Sequence, residues 1–217
     1  MHFTKLIAMV LPLKGIIPPM ITPLKSNDEL DRQGVERLIE HIIGGGVHGL
    51  FLLGTNGEGP SLSYRIKKEF LKLSCEIIKG RVPVLVGITD SSFAGAMEMA
   101  DYSKAVGADS VVVAPPFYFP ATEAEMINYV EHLATATPLP FVLYNMPMHT
   151  KINLTIPTIS RAKELGCIGI KDSSGDMANL YMLVDAFKED QDFAVFAGTE
   201  LYLPDAVMGG AHGAVAG

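Results

Sequence analysis

Eight short apolar runs recur along the chain: Gly15 to Thr22, Gly49 to Gly54, Val82 to Ile88, Asp109 to Ala114, Pro140 to Asn145, Cys167 to Lys171, Phe193 to Gly198 and Gly213 to Gly217. Most are rich in Val, Ile, Leu or Phe and lack polar alternation, the pattern of strands covered on both faces in a parallel sheet. Successive runs begin roughly 20 to 35 residues apart, about the length of one strand, loop and helix in a (β/α)8 barrel. The intervals are amphipathic at helical spacing. Val35, Leu38, Ile39 and Ile42 share one face, and Ile66, Phe70, Leu73 and Ile77 share another. Helix punctuation agrees: Thr122 with Glu125 makes a capping box, Ser63 can serve as an N-cap, and Gly44 to Gly46, Gly107 and Gly166 follow helix ends. A doubly wound open sheet has the same alternation, so pattern alone leaves closure open, and eight strands favour it. The fold class expected is α/β, a (β/α)8 TIM barrel over residues 15–217, preceded by a lead-in over residues 1–14 that need not be native.

Composition narrows the partners. With 17 Lys and Arg against 24 Asp and Glu, the formal charge is −7 and the pI near 5.3, which removes the positive footprint that nucleic-acid binding relies on. No apolar run approaches the roughly 20 residues that cross a bilayer, and no basic amphipathic stretch suggests a chain lying on one. Leu6 to Leu13 follows Lys5 as in a poor signal peptide, but no small-residue cleavage site precedes the Pro-rich Ile16 to Pro23. Cys75 and Cys167 lack metal or C-x-x-C spacing and read as reduced core thiols, so a cytoplasmic location is expected.

In a barrel, residues just after each strand gather at one mouth, where enzymes of this architecture keep their sites. Those positions read Thr55-Asn56-Gly57-Glu58, Thr89-Asp90, Pro115 to Tyr118, Tyr144-Asn145, Lys171-Asp172 and Thr199-Glu200. Lys171 ends an apolar run and should point inward, where an unpaired ammonium is costly. Its pKa should fall, and the neutral amine becomes a nucleophile toward carbonyls. The plain alternative is a strand-end lysine whose head reaches water. Tyr144 ends the neighbouring strand, about 5 Å away, so its phenol could pass protons there; by itself it is as readily a rim aromatic. Gly54 to Gly57 is a tight turn whose backbone N–H groups and hydroxyl could hold a carboxylate, and it does not fit the dinucleotide fingerprint. The six histidines show no paired ligand spacing. His149 and His212 are placed near the mouth as polar contacts, and His41 and His132 on helix surfaces.

Four motifs, GIIPPMITPL at Gly15 to Leu24, GTNGEGPSLS at Gly54 to Ser63, YNMP at Tyr144 to Pro147 and GIKDSSGD at Gly169 to Asp176, stand in the order and spacing of one known family. By them the chain resembles the dihydrodipicolinate synthase / N-acetylneuraminate lyase family of pyruvate-dependent class I aldolases. The resemblance implies that Lys171 forms an imine with the keto carbon of pyruvate or a 2-keto acid, with no metal and no organic cofactor. Tyr144 matches the family's proton-relaying tyrosine, Thr55 its partner hydroxyl, and Tyr118 the tyrosine lent by a neighbouring subunit, within one residue of alignment. Thr55, Asn56 and Gly57 would hold the keto-acid carboxylate, with Val215 contributing a backbone carbonyl. A homotetramer built as a dimer of dimers is implied too, as are a further helix and a helical segment past strand eight, so the natural chain is expected to continue beyond Gly217.

Departures bear on the substrate. Asn56 stands where family members commonly have Thr, which weakens a hydroxyl relay between subunits. His149 stands where dihydrodipicolinate synthases usually have Arg for the semialdehyde carboxylate, and an imidazole cannot replace a bidentate guanidinium. Glu200 is followed by Leu201, whereas sialic acid lyases have an acidic pair. The reading is therefore a Schiff-base aldolase or lyase making or cleaving a short hydroxylated or sugar-derived 2-keto acid, with pyruvate and an aldehyde as partners. Its alternatives are dihydrodipicolinate synthase proper, N-acetylneuraminate lyase, and a keto-acid-binding barrel without turnover. A phosphate-binding barrel is suggested by the glycines of Met208 to Gly217, which a tight helix-to-strand connection explains more simply.

Overall fold

The computed structural model describes residues 11–217. The first ten residues of the expected lead-in lie outside the described residues, and Leu13, from its last four, packs into the barrel interior. The barrel strands are β1 (Gly15–Ile16), β2 (Leu50–Leu52), β3 (Val84–Gly87), β4 (Ser110–Val113), β5 (Phe141–Asn145), β6 (Cys167–Asp172), β7 (Ala194–Ala197) and β8 (Gly213–Ala214). They form one sheet in sequence order, with β1 beside β8 and every ladder parallel. The seam between β1 and β2 is irregular because Pro18 and Pro19 have no N–H to donate. It is closed by a Pro19–Phe51 bridge, in which Phe51 N donates to Pro18 O at 3.0 Å and Met20 N donates to Phe51 O at 2.9 Å. The closure that the apolar pattern left open is thus present.

Helices α1 (Arg32–Gly44), α2 (Tyr64–Ile78), α3 (Phe93–Val106), α4 (Glu123–Ala136), α6 (Ile156–Glu164), α7 (Met177–Phe187) and α8 (Leu203–Met208) follow the strands, with a one-turn α5 (Pro147–Thr150) before α6. The caps fall at the residues whose type favours them. Ser63 Oγ accepts from Ile66 N, Thr122 and Glu125 complete the capping box, and Gly107 ends α3 in the left-handed region. The buried stripe of α2 is rotated from the one expected: Ile66, Phe70, Leu71 and Ile78 are fully buried, and Leu73 and Ile77 lie at its edge. A small antiparallel hairpin, Leu24–Ser26 with Glu29–Leu30, has no counterpart in the sequence pattern; its strands are too short to show a periodicity.

Two apolar layers result. Residues on the outer strand faces and the helices form the larger one, and Leu13, Ile17, Phe51, Leu85, Val112 and Phe196 belong to a second one that fills the barrel. Such an interior is packed rather than hollow, so a polar group inside it has few places to go.

Candidate active site

The placement of Lys171 depends on an irregularity in β6. Strand β5 alternates, with Val142 and Tyr144 in the interior layer and Phe141 and Leu143 in the outer one. On β6, Phe141 pairs with Cys167 but Val142 pairs with Gly169, so Ile168 is an extra residue. Ile168 belongs to the interior layer, and Gly169 pairs with the interior residue Ala194. Two successive residues therefore face inward, and the count resumes with Ile170 outward and Lys171 inward. A bulge of this kind re-aims the side chains beyond it. Unbroken alternation from Ile168 would have sent Lys171 outward. The inner position of Gly169 is tight, since a Cβ there would lie 2.6 Å from Ala194 O.

Lys171 is 5% exposed, and its Nζ lies 4.3 Å from the ring centroid of Tyr144 and 5.3 Å from that of Phe51. Among the described residues it forms no salt bridge. Burial alone lowers its pKa from 10.5 to about 7, with no neighbouring charge to offset the desolvation. Tyr144 pairs in register with Lys171 across the ladder and is buried beside it, its ring edge-on to Phe51. The Tyr144 hydroxyl and Thr55 Oγ1 are 3.3 Å apart.

Thr55 reaches that hydroxyl because the chain after β2 turns sharply, through Leu53 at φ 57 and Glu58 at φ 56. Gly59 fits against Leu53 so closely that a Cβ would lie 2.1 Å from its carbonyl oxygen, and at Gly57 a Cβ would lie 2.9 Å from Met20 O. Thr22 Oγ1 donates to Gly57 O at 2.7 Å and pins the turn. Asn56 Nδ2 donates to Gly217 O at 2.6 Å.

Two cavities meet at the Thr55–Tyr144 pair. One, of about 340 Å³, holds Lys171 together with Asn56, Ser173, Thr199, Tyr202 and Val215. The other, of about 320 Å³, is lined by Glu58, Thr89, Phe117, His149 and Thr150. Thr55, Tyr144 and Met146 line both. Most of the residues singled out in the sequence are therefore brought to one mouth.

Gly57, Asp90, Asn145 and Asp172 line neither cavity, and three further residues are placed differently. Tyr118 is 85% exposed at φ 89 and stacks edge-on with Phe119 beside a separate surface pocket; Phe117 is its strand-four neighbour that faces the Tyr144 cavity. Glu200 is exposed, and its neighbours Thr199, Leu201 and Tyr202 line the lysine cavity instead. His212 lies at the opposite end of the barrel from the mouth, since it precedes β8, and its Nδ1 accepts from Val195 N at 3.1 Å. The expectation of a mouth-end His212 is corrected on that ground: a residue before a parallel strand belongs to the other end. Conversely, no local signal marks Phe51 as the floor beneath the lysine. Interior facing can be inferred for an aromatic in a buried run, but its partner across the barrel cannot.

Comparison with known proteins extends these observations. A 4-hydroxy-tetrahydrodipicolinate synthase of Polynucleobacter asymbioticus is 31% identical over 93% of this chain and 66% of its own length. A putative 2-dehydro-3-deoxy-D-gluconate aldolase of Escherichia coli, YagE, is 33% identical over 93% of this chain and 68% of its own. The chain thus spans about two thirds of the length of the curated relatives it matches. Among solved structures, a dihydrodipicolinate synthase from Bacteroides thetaiotaomicron superposes with a TM-score of 0.93 at 48% identity, covering 96% of this chain and 70% of that one. YagE in complex with pyruvate superposes with a TM-score of 0.90 at 32% identity, covering 94% and 70%. The profile of the Dihydrodipicolinate synthetase family matches residues 12–217, a stretch that contains the whole barrel and all four motifs, and the chain belongs to that family.

Proposed function

We propose that this chain is the catalytic barrel of a Schiff-base-forming, pyruvate-dependent aldolase or lyase. The observation that carries the reading is Lys171: an amine buried in an apolar barrel, without an ion-pair partner among the described residues, pushed to about 7 by desolvation and set against a tyrosine that shares a hydrogen bond with a threonine. Near neutral pH half of such an amine is free to attack.

The neutral Lys171 amine adds to the keto carbon, and loss of water leaves an iminium. In the cleavage direction the hydroxyl proton passes to Tyr144, which gives its own proton toward Thr55, while the breaking carbon–carbon bond leaves its electron pair on the imine as an enamine. Protonation of the enamine and hydrolysis release pyruvate and restore Lys171. Thr55, Asn56 and Gly57, with the Val215 carbonyl, hold the keto-acid end. Tyr118 points out of its own site, as a residue lent to a neighbouring subunit would, in a dimer of dimers. Among the described residues no helix is long and apolar enough to cross a membrane, and we place the enzyme in the cytoplasm.

The substrate we favour is a short hydroxylated or sugar-derived 2-keto acid. Among the described residues the lysine cavity offers the hydroxyls of Ser173, Thr199 and Tyr202 and no arginine, and His149 stands at the second cavity. A relative described as a putative 2-dehydro-3-deoxy-D-gluconate aldolase agrees. Dihydrodipicolinate synthase proper is the second reading, favoured by the 48% identity to the Bacteroides structure of that description. Borohydride reduction with pyruvate tests the chemistry: a mass increase confined to Lys171 is expected, and an unmodified chain, or a tag on another lysine, overturns it. Pyruvate consumption with D-glyceraldehyde against aspartate semialdehyde then separates the two substrates.

A further inference from the structure

One rung beyond the Tyr144–Lys171 pair, the same ladder places Asn145 opposite Asp172. Both face away from the barrel interior, are 0% and 4% exposed, and line neither mouth cavity. A buried carboxylate without an ammonium or guanidinium is costly unless donors surround it, and here they do. Asn145 Nδ2 donates to Asp172 Oδ1 at 2.7 Å, Asn179 Nδ2 to the same oxygen at 3.3 Å, and Ser174 Oγ to Asp172 Oδ2 at 2.8 Å. Asn145 in turn accepts from Leu154 N at 2.9 Å through Oδ1, and its Nδ2 also donates to Asn153 Oδ1 at 2.9 Å.

These bonds link two loops whose bases are already tied by the backbone bond from Ser173 N to Asn145 O at 2.9 Å. Residues 146–155 carry Met146, Met148 and His149 to the cavities, and residues 173–176 carry Ser173 and Ser174. Ser174 Oγ also accepts from Asp176 N, and Asp176 caps α7 through the N–H groups of Ala178 and Asn179. One end of the network is thus anchored to a helix start and the other to the backbone of the His149 loop, with both central residues on the strands that hold the reacting pair.

We propose that Asn145 and Asp172 are positioning residues that clamp the 146–155 and 173–176 loops into one unit and so fix the acceptor side of the site. This rests on the aldolase reading, since it assigns those loops to the aldehyde rather than to pyruvate. A clamp differs from ordinary packing in transmitting a perturbation made at one loop to the other.

Three variants of the protein test this: Asn145→Ala, the milder Asn179→Ala, and the exchange Asn145→Asp/Asp172→Asn, which keeps one amide and one carboxylate in reversed places. Amide hydrogen exchange should rise in both loops in Asn145→Ala. In Asn179→Ala it should rise in residues 146–155, although the Asn179 side chain bonds Asp172 rather than that loop, and the exchanged pair should restore protection. Borohydride tagging of Lys171 by pyruvate should stay within about twofold of the parent, while the half-saturating D-glyceraldehyde concentration rises about tenfold, the effect of one lost hydrogen bond to a charged group. Exchange confined to the mutated loop, or an exchanged pair that restores nothing, overturns the clamp. Tagging lost in step with the aldehyde response overturns its assignment to the acceptor side. An untagged parent protein would instead remove the aldolase reading, while the exchange data would still decide whether the two loops are joined.

Discussion

The Lys171 ammonium and the Tyr144 ring occupy the same rung of the β5–β6 ladder, 4.3 Å apart from nitrogen to ring centroid, inside a barrel otherwise filled with hydrocarbon. The face of an aromatic ring attracts a cation, and burial lowers the pKa to about 7, so both the charged and the neutral amine are populated near neutral pH. The pair therefore juxtaposes a nucleophile and a phenol without either needing a carboxylate to hold it.

Imine formation should titrate accordingly. Below about 7 Lys171 carries a proton and cannot attack; above it the amine is free. The rate of pyruvate tagging with cyanoborohydride should rise through neutral pH and level off by about one to two units above the lysine pKa. A rate still climbing toward the ordinary lysine range would show an amine with access to water.

Stability should carry the same signature. The folded pKa of Lys171 is lowered from 10.5 to about 7, so between those values the unfolded chain binds a proton that the folded chain does not. This group's contribution to stability therefore increases as pH rises from about 7 to 10.5 and is least favourable below that window. Lys171→Met, which keeps the length and removes the charge, should stabilise the fold by on the order of 2 kcal/mol at neutral pH, an advantage that shrinks toward pH 10. Thermal melts of both proteins across that range would check it; equal Tm differences at every pH would contradict the assignment.

The proton relay is separable from the imine. Tyr144→Phe should retain pyruvate tagging and lose about 10²- to 10⁴-fold in turnover, the usual worth of a positioned acid–base group. Thr55→Val removes the other oxygen of the 3.3 Å contact and should cost less, about tenfold in kcat. Steady-state kinetics beside mass spectrometry would measure both, and a Tyr144→Phe enzyme with normal turnover would discard the relay.

How much of this is legible in the sequence depends on the range over which each signal acts. Strands such as Val84–Gly87 and helix starts such as Ser63 and Thr122 are set by neighbours a few residues away, and their runs and caps can be read directly. The chemistry-bearing lysine is legible because an apolar run ends in it. The reason it points inward is not: unbroken alternation from Ile168 predicts the wrong face, and the bulge is defined only by pairing with Phe141 and Val142 on the preceding strand. The Asn145–Asp172 clamp is hidden for the same reason, because two polar residues that each look like strand-end punctuation become one network only across the ladder. His212 is legible by the rule that residues after a strand gather at the mouth: it stands before the Gly213 to Gly217 run, so the expectation at the mouth misapplies a rule the sequence already supplies.

The bulge makes its own prediction. Gly169 faces the interior with Ala194 O where a Cβ would sit, at 2.6 Å. Gly169→Ala should force β6 from β7 and cost about 1–3 kcal/mol, the usual penalty of overpacking a close-packed interior. Because the displaced strand carries Lys171 two residues later, pyruvate tagging should fall even in the fraction that remains folded. Denaturant unfolding and tagging of the refolded protein would measure the two effects, and a stable, fully tagged variant would show that the strand end is set elsewhere.

Acceptor choice should respond to His149, which lies on the rim of the cavity beside Tyr144 and Thr55, on the loop held by Asn145. An imidazole presents its two ring nitrogens in different directions, whereas guanidinium is always charged and binds carboxylate through two parallel hydrogen bonds. His149→Arg should therefore raise kcat/KM for aspartate semialdehyde relative to D-glyceraldehyde by about tenfold or more, mostly through KM, with pyruvate tagging unchanged. Competition between the two aldehydes at fixed pyruvate reads that ratio directly. If the parent protein already prefers the semialdehyde and the substitution leaves the ratio where it was, His149 does not set the acceptor, and the hydroxyl-lined reading of the cavity yields to the synthase.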